Sequence, residues 1–182
     1  MGSEIPGFSA PAASFEAPLE MLAACHGRIR SQCATLLRIR SHVAAQGADA
    51  GARTAARNVI RYFDTSARHH HDDEERDLFP ALLESMAGSD PVCIRELTGA
   101  LAEDHRRLEE LWGAVRPWLV AVQSGKAPPP GDAAIDDFVR LYERHADREE
   151  QELFPMAERL LGEAELERIG RAMRIRRGVG SA

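Results

Sequence analysis

Aromatic residues make up only 5% of this 182-residue chain, and few of its stretches are rich in β-branched side chains. Strands favour both kinds of residue, so a β-rich fold is excluded, and the dominance of Ala, Leu, Glu and Arg points to an all-α protein. Cysteine is scarce as well. Cys25, Cys33 and Cys93 form no CxxC pair and leave an odd count, which suits buried free thiols in a reducing compartment rather than a disulfide framework. No run of about 18 apolar residues occurs, so a membrane-spanning helix is excluded on length. The first residues hold no basic stretch followed by an apolar core, so no secretory signal is visible and a cytoplasmic protein is the simplest reading. Positive charge is not in excess: 23 Lys and Arg against 29 Asp and Glu leave a net charge of −6. Neither nucleic acid nor an anionic membrane would find a basic field here.

What the chain does have is one stretch written twice. HHHDDEERDLFP at residues 69–80 and HADREEQELFP at 145–155 align on their shared EExxLFP, which sets His70 opposite His145, Glu74 opposite Glu149, and Leu78, Phe79 and Pro80 opposite Leu153, Phe154 and Pro155. On a helix, residues four apart share a face, so each copy presents an imidazole and a carboxylate side by side, as a metal site requires. At a slightly longer offset His26 falls on His105, with Leu22 on Leu101 and Arg28 on Arg107. The chain thus reads as two helix pairs, each with one lone histidine and one HxxxE.

Residues 1–14, with Pro6, Gly7 and Pro11, read as a flexible lead-in. A helical stripe then runs from about Phe15 to Ala45 and includes His26 among Leu22, Ile29 and Cys33. Asp49 is placed to cap a second helix, about Ala50 to Met86, which Pro80 should kink or restart. Asp90 and Pro91 signal the start of a third, to Gln123, with His105 on its inner face. SGKAPPPGD is a linker, and Asp132 caps a fourth helix from about Ala133 to Leu161. The expected architecture is an antiparallel up-down four-helix bundle over 15–161, followed at 162–182 by a short extra C-terminal helix and tail. Arg174, Arg176 and Arg177 in that tail read as solvated charges complementing the helix dipole.

A lone histidine on an apolar face is usually a satisfied core residue. Here all four helices carry one, and two add a carboxylate a turn later. Burying those ions without partners would cost several kcal/mol, and no basic residue stands on the inner lines beside them. A dinuclear metal site therefore outweighs a metal-free polar core. His71 and Glu109 are additional candidates: His71 adjoins the His70 face, and Glu109 follows His105 by four. His69, Asp73, Glu75, Glu150, Glu103 and Asp104 read as outer-face charges. Tyr62 and Tyr142 lie near the same level, as core caps or as donors to a ligand.

The ordered pattern His26, His70xxxGlu74, His105, His145xxxGlu149 resembles the hemerythrin-like, HHE cation-binding family over nearly the whole chain. Ferritin-like di-iron bundles use ExxH steps instead, which the inner positions lack. The resemblance implies a non-haem di-iron centre: two iron ions with a bridging oxo or hydroxo group, Glu74 and Glu149 as bridging carboxylates, His26 and His70 on one iron, and His105 and His145 on the other. Zinc or manganese could take the same ligands. Oxygen-carrying hemerythrins place a further histidine where this chain has Glu109, and space their last histidine and carboxylate by five rather than four. Either one position stays open, or Glu109 or His71 completes it; an anionic Glu109 would favour onward reaction over reversible oxygen binding. The resemblance implies a protein that binds or senses oxygen, nitric oxide or iron. A di-iron oxidoreductase acting on peroxide, oxygen or nitric oxide and an iron-dependent interaction or regulatory protein are the alternatives. The expected partner is dioxygen, another small diatomic or peroxide, with no nucleic acid and no membrane; no protein partner is indicated.

Overall fold

A handful of residues decides where the helices stop. In the computed structural model, which describes residues 14–85, 91–129 and 132–179, α1 (Pro18–Gln46) ends at Gly47, whose φ of +78° favours glycine. The Asp49 carboxylate accepts from the Ala52 amide at 2.8 Å and starts α2 (Ala50–Asp64). Thr65 interrupts the rod, its hydroxyl donating to the Arg61 carbonyl at 2.7 Å, and α3 (Ser66–Asp73) continues it. A π-helical turn, Glu74–Leu78, then leads into α4 (Phe79–Glu84). The single helix expected from Ala50 to Met86 is therefore one rod in four pieces.

The π turn has a local cause. Pro80 lacks an N–H, and its ring would strike the carbonyl four residues back, so the preceding turn widens by one residue. The Phe79 amide donates to Glu74, five residues back. Pro155 does the same in the second copy, where Phe154 donates to Glu149 across a π turn at Glu149–Leu153. The kink expected at Pro80 is thus a wide turn that begins, in both copies, on the glutamate of HxxxE.

The remaining elements are α5 (Pro91–Gln123), α6 (Asp132–Arg148), α7 (Phe154–Leu160) and α8 (Glu163–Arg176). The caps expected at Asp90 and Asp132 fall on a residue and a side chain outside those described. Helices adjacent in sequence lie side by side, α1 on α2, α2 on α5 and α5 on α6, and α6 returns to α1. The result is an antiparallel all-α bundle, and among the described residues no helix is long and apolar enough to cross a membrane.

Two apolar clusters fill it. One gathers Leu36, Val59, Phe63, Leu108, Leu119 and Phe138; the other gathers Leu22, Leu78, Leu82, Leu101, Leu153 and Ile169. Each fully buried Leu, Ile or Phe stabilises the fold by about 1.5–3 kcal/mol. The layer between the clusters is polar.

Helix α8 packs on α1, α3 and the first π turn. A Cβ at Gly170 would collide with the Phe15 carbonyl, so the backbone before α1 lies directly on this helix. The basic tail is not solvated as expected. Arg176 and Arg177 both bind the fully buried Asp73 carboxylate, and Arg176 also donates to Asp77 at 2.7 Å. Asp73, read above as an outer-face charge, is buried because the tail folds back onto it. Cys25 and Cys33 are buried, whereas Cys93 is exposed.

Candidate metal centre

Six polar side chains meet in the layer between the clusters: His26 from α1, His70 from α3, His105 from α5, His145 from α6, and Glu74 and Glu149 at the first residues of the π turns. None is more than 4% exposed. The Nε2 atoms of His26 and His70 lie 3.1 Å apart, and those of His105 and His145 lie 3.0 Å apart. Glu149 spans both pairs, with Oε2 2.9 Å from His26 and Oε1 3.2 Å from His145. Glu74 spans them from the other side, 3.4 Å from His70 and 3.4 Å from His105. Two donor groups result, His26, His70, Glu74, Glu149 and His105, His145, Glu74, Glu149, which share both carboxylates.

Outside the four rings stand carboxylates that helical periodicity assigned to the surface. His26 Nδ1 donates to Glu150 at 2.9 Å and His105 Nδ1 donates to Glu75 at 2.7 Å. A carboxylate only accepts, so Nδ1 carries the proton and Nε2 turns its lone pair inward. Each half of the chain orients a histidine of the other half, through the second glutamate of its EE pair. The signal was in the sequence, because that second glutamate repeats as faithfully as the first. Arg30 grips Glu150 at 2.8 and 3.1 Å, and this guanidinium, with His26, holds the Glu150 carboxyl below its usual range. The hydrogen bond from His105 does the same for Glu75. Asp104 lies 3.7 Å from His145 Nδ1, near but beyond hydrogen-bond reach.

The two additional candidates part company. The His71 ring stacks on His105, 4.0 Å between centroids, and its nitrogen joins His105 and His145 in a third donor group. Burial pushes its imidazole well below the ordinary pKa. Glu109 is 73% exposed, pairs with Arg68 at 3.2 Å and belongs to none of the groups. With Glu75 already beside His105, a second carboxylate is better solvated outside. The expectation that an anionic Glu109 favours onward reaction thereby loses its premise. Between α3 and α5 lies a cavity of about 360 Å³, walled by His71, Glu75, His105, Tyr142, Trp112 and Phe63 among others. Tyr142 is buried with its hydroxyl 3.5 Å from His71 Nε2; Tyr62 instead points at the Cys25 carbonyl.

Whether cations fit can be judged from the unpaired atoms. Both oxygens of Glu74, Oε1 of Glu149, and Nδ1 of His70 and His145 are buried without a hydrogen-bond partner, a state that costs free energy for any polar atom and most for a charged one. Burial and the charge of Glu149 push the Glu74 carboxyl well above its ordinary range. Glu149 goes the other way, because His145 outweighs its burial. Burial works against a charged His145 too, yet Glu149 carries it up to about 9. Glu74, Glu149 and His145 are thus pushed in opposing directions within one buried cluster, a conflict that cations accepting the inward lone pairs would remove. The ring spacing agrees. Two imidazoles held at about 2.1 Å from one ion stand about 3.0 Å apart at a right angle and about 3.4 Å apart at the tetrahedral angle. The observed 3.1 and 3.0 Å bring both rings of each pair within reach of one ion.

Residues 17–157 match the family model described as the hemerythrin HHE cation binding domain. The chain is also 31% identical over 167 residues to an uncharacterized protein of Haemophilus influenzae, covering 92% of this chain and 94% of that one. The fold, the two shared-carboxylate donor groups and these matches agree: the chain belongs to the hemerythrin HHE cation-binding family.

Proposed function

We propose that the cluster is a dinuclear non-haem iron centre through which the protein binds or senses a small ligand such as dioxygen or nitric oxide. The observation that carries this reading is the pair of donor groups sharing Glu74 and Glu149, with both Glu74 oxygens otherwise unpaired. His26 and His70 would hold one ion, His105 and His145 the other, and the two carboxylates would bridge them. Imidazole with carboxylate suits iron, and zinc or manganese could take the same donors. When bound, two such ions supply two redox equivalents and positions for an exogenous ligand.

The chain's own residues prepare that chemistry. Glu75 and Glu150 fix the tautomers of His105 and His26, Phe79 and Phe154 stack on the same rings and exclude water, and the cavity leads to one side. That cavity favours a second reading, turnover of peroxide, oxygen or nitric oxide at the same centre, over a purely structural iron site. Metal analysis of anaerobically purified protein, with optical spectra before and after oxygen, tests the proposal. Two irons per chain and an oxygen-dependent band are expected. One zinc and no such band would overturn it.

A further inference from the structure

The internal repeat predicts two equivalent sides for the centre, and the structure departs from that at a few positions. The alignment that pairs Glu74 with Glu149 also pairs Glu75 with Glu150, Ala67 with Tyr142 and His71 with Ala146; the one that pairs His105 with His26 pairs Glu109 with Arg30. On the His26 side Arg30 reaches in and clamps Glu150 with two hydrogen bonds, closing the wall over the ring. On the His105 side the equivalent position is Glu109. It cannot clamp Glu75, which has the same charge, and it turns out to Arg68 instead. The cavity lies where that clamp is missing, and Glu109, Glu75, Ala67 and His71 all line it, whereas neither His26 nor His70 does. Tyr142, the bulky partner of Ala67, also lines this space, its hydroxyl 3.5 Å from His71 Nε2.

We infer that exogenous ligands reach the centre from one side only, through this cavity, and bind at the His105 and His145 position. The ligand is a compact diatomic or triatomic hydrogen-bond acceptor, and Tyr142 and His71 are positioning residues that meet its outer atom. The inference rests on the dinuclear reading for its occupant but on the broken repeat for its geometry.

The decisive variant restores the repeat. Glu109→Arg places a guanidinium where it can clamp Glu75 as Arg30 clamps Glu150, at an exposed position that should not disturb folding. With metal content verified as unchanged, the azide on-rate, followed optically, should fall by roughly tenfold or more. Tyr142→Phe should weaken azide binding by roughly tenfold through the loss of one donor. Bound metal with unchanged azide kinetics and affinity in both variants, or no azide response in the wild type, overturns the inference and leaves the metal reading standing. A metal-free arm separates the two: in a Trp118→Phe background, Glu109→Arg should reduce acrylamide quenching of Trp112 on the cavity wall. Unchanged quenching overturns the proposed closure whatever the metal content.

Discussion

Replacing Glu150 or Glu75 by glutamine should make the two metal positions separable. Each carboxylate accepts one charge-assisted hydrogen bond from a ring Nδ1, at 2.9 Å for Glu150 and 2.7 Å for Glu75. Hydrogen bonds to charged groups contribute about 1.5–3 kcal/mol when buried. These side chains are 34% and 43% exposed, so solvent screening reduces the figure to about 1–2 kcal/mol, or roughly 5- to 30-fold in affinity. That range overlaps the 10- to 100-fold loss found on removing groups that orient metal-bound histidines. The loss should be confined to one ion: Glu150→Gln loosens the His26 and His70 position, and Glu75→Gln the His105 and His145 position. Glu150 should be the more sensitive of the two, because Arg30 fixes it while no guanidinium among the described residues binds Glu75. Competition against a chelator, read as the number of ions released at each concentration, should resolve into two steps in each variant. Single-step release at the wild-type concentration in both variants would refute the cross-bracing.

Chelating the metal should lower the unfolding free energy read from urea titration by about 4 kcal/mol if free ion stood at a thousand times the dissociation constant; identical midpoints with and without metal would show that metal binding at the donor cluster contributes nothing to folding. Replacing Arg176 and Arg177 together by alanine leaves Asp73 buried without a cation, which should cost about 3–5 kcal/mol and lower Tm by roughly 6–20 °C. A loss below about 1 kcal/mol would mean that water takes over the arginines' role. Burial, with Glu143 nearby, pushes the Cys33 thiol from 9.0 up to about 12. The unfolded thiol therefore ionises first as pH rises, so this group's contribution to stability holds below pH 9.0 and is lost between there and about 12, at about 1.4 kcal/mol per pH unit. Cys33→Ala should remove that share of the slope, leaving above pH 10.0 what the phenols of Tyr62 and Tyr142, also pushed up by burial, contribute; a slope between about pH 9 and 10 equal to the wild type's would refute the assignment. A thiol reagent should meanwhile modify the exposed Cys93 in the native protein and spare Cys33.

Much of this molecule could be read from spacing alone, because its central device is local. HxxxE puts two donors on one face whatever surrounds the helix, and the lone His26 and His105 stand inside apolar stripes that fix their direction. Reasoning from a regular helix failed just beyond those points. Glu75 and Glu150 were assigned to the surface by a rotation of 100° per residue, but both sit in π turns, where the rotation per residue is smaller and the side chain swings toward the neighbouring helix. Repetition of EE, rather than periodicity, was the usable signal. The Asp73 contacts were invisible for a different reason. Their partners, Arg176 and Arg177, lie about a hundred residues downstream, and no local pattern says where a basic tail will fold back.

The repeat also explains why a symmetric cage would be a poor ligand site. Two equivalent halves with an Arg30-type clamp on each side would bury both donor groups behind gripped carboxylates and stacked phenylalanines, leaving an exogenous molecule no approach. Three departures undo this on one side only. Glu109 in place of a second arginine leaves Glu75 ungripped, Ala67 opposite Tyr142 leaves space, and His71 opposite Ala146 lines that space with an imidazole. None of the three replaces one of the six inward-facing donors, although His71 stacks on His105, so the polar layer keeps its approximate two-fold arrangement while its surroundings lose theirs. Stability and access are thereby assigned to opposite sides of one centre, with Arg30 and Glu150 closing the His26 side and Glu109 turned outward from the His105 side.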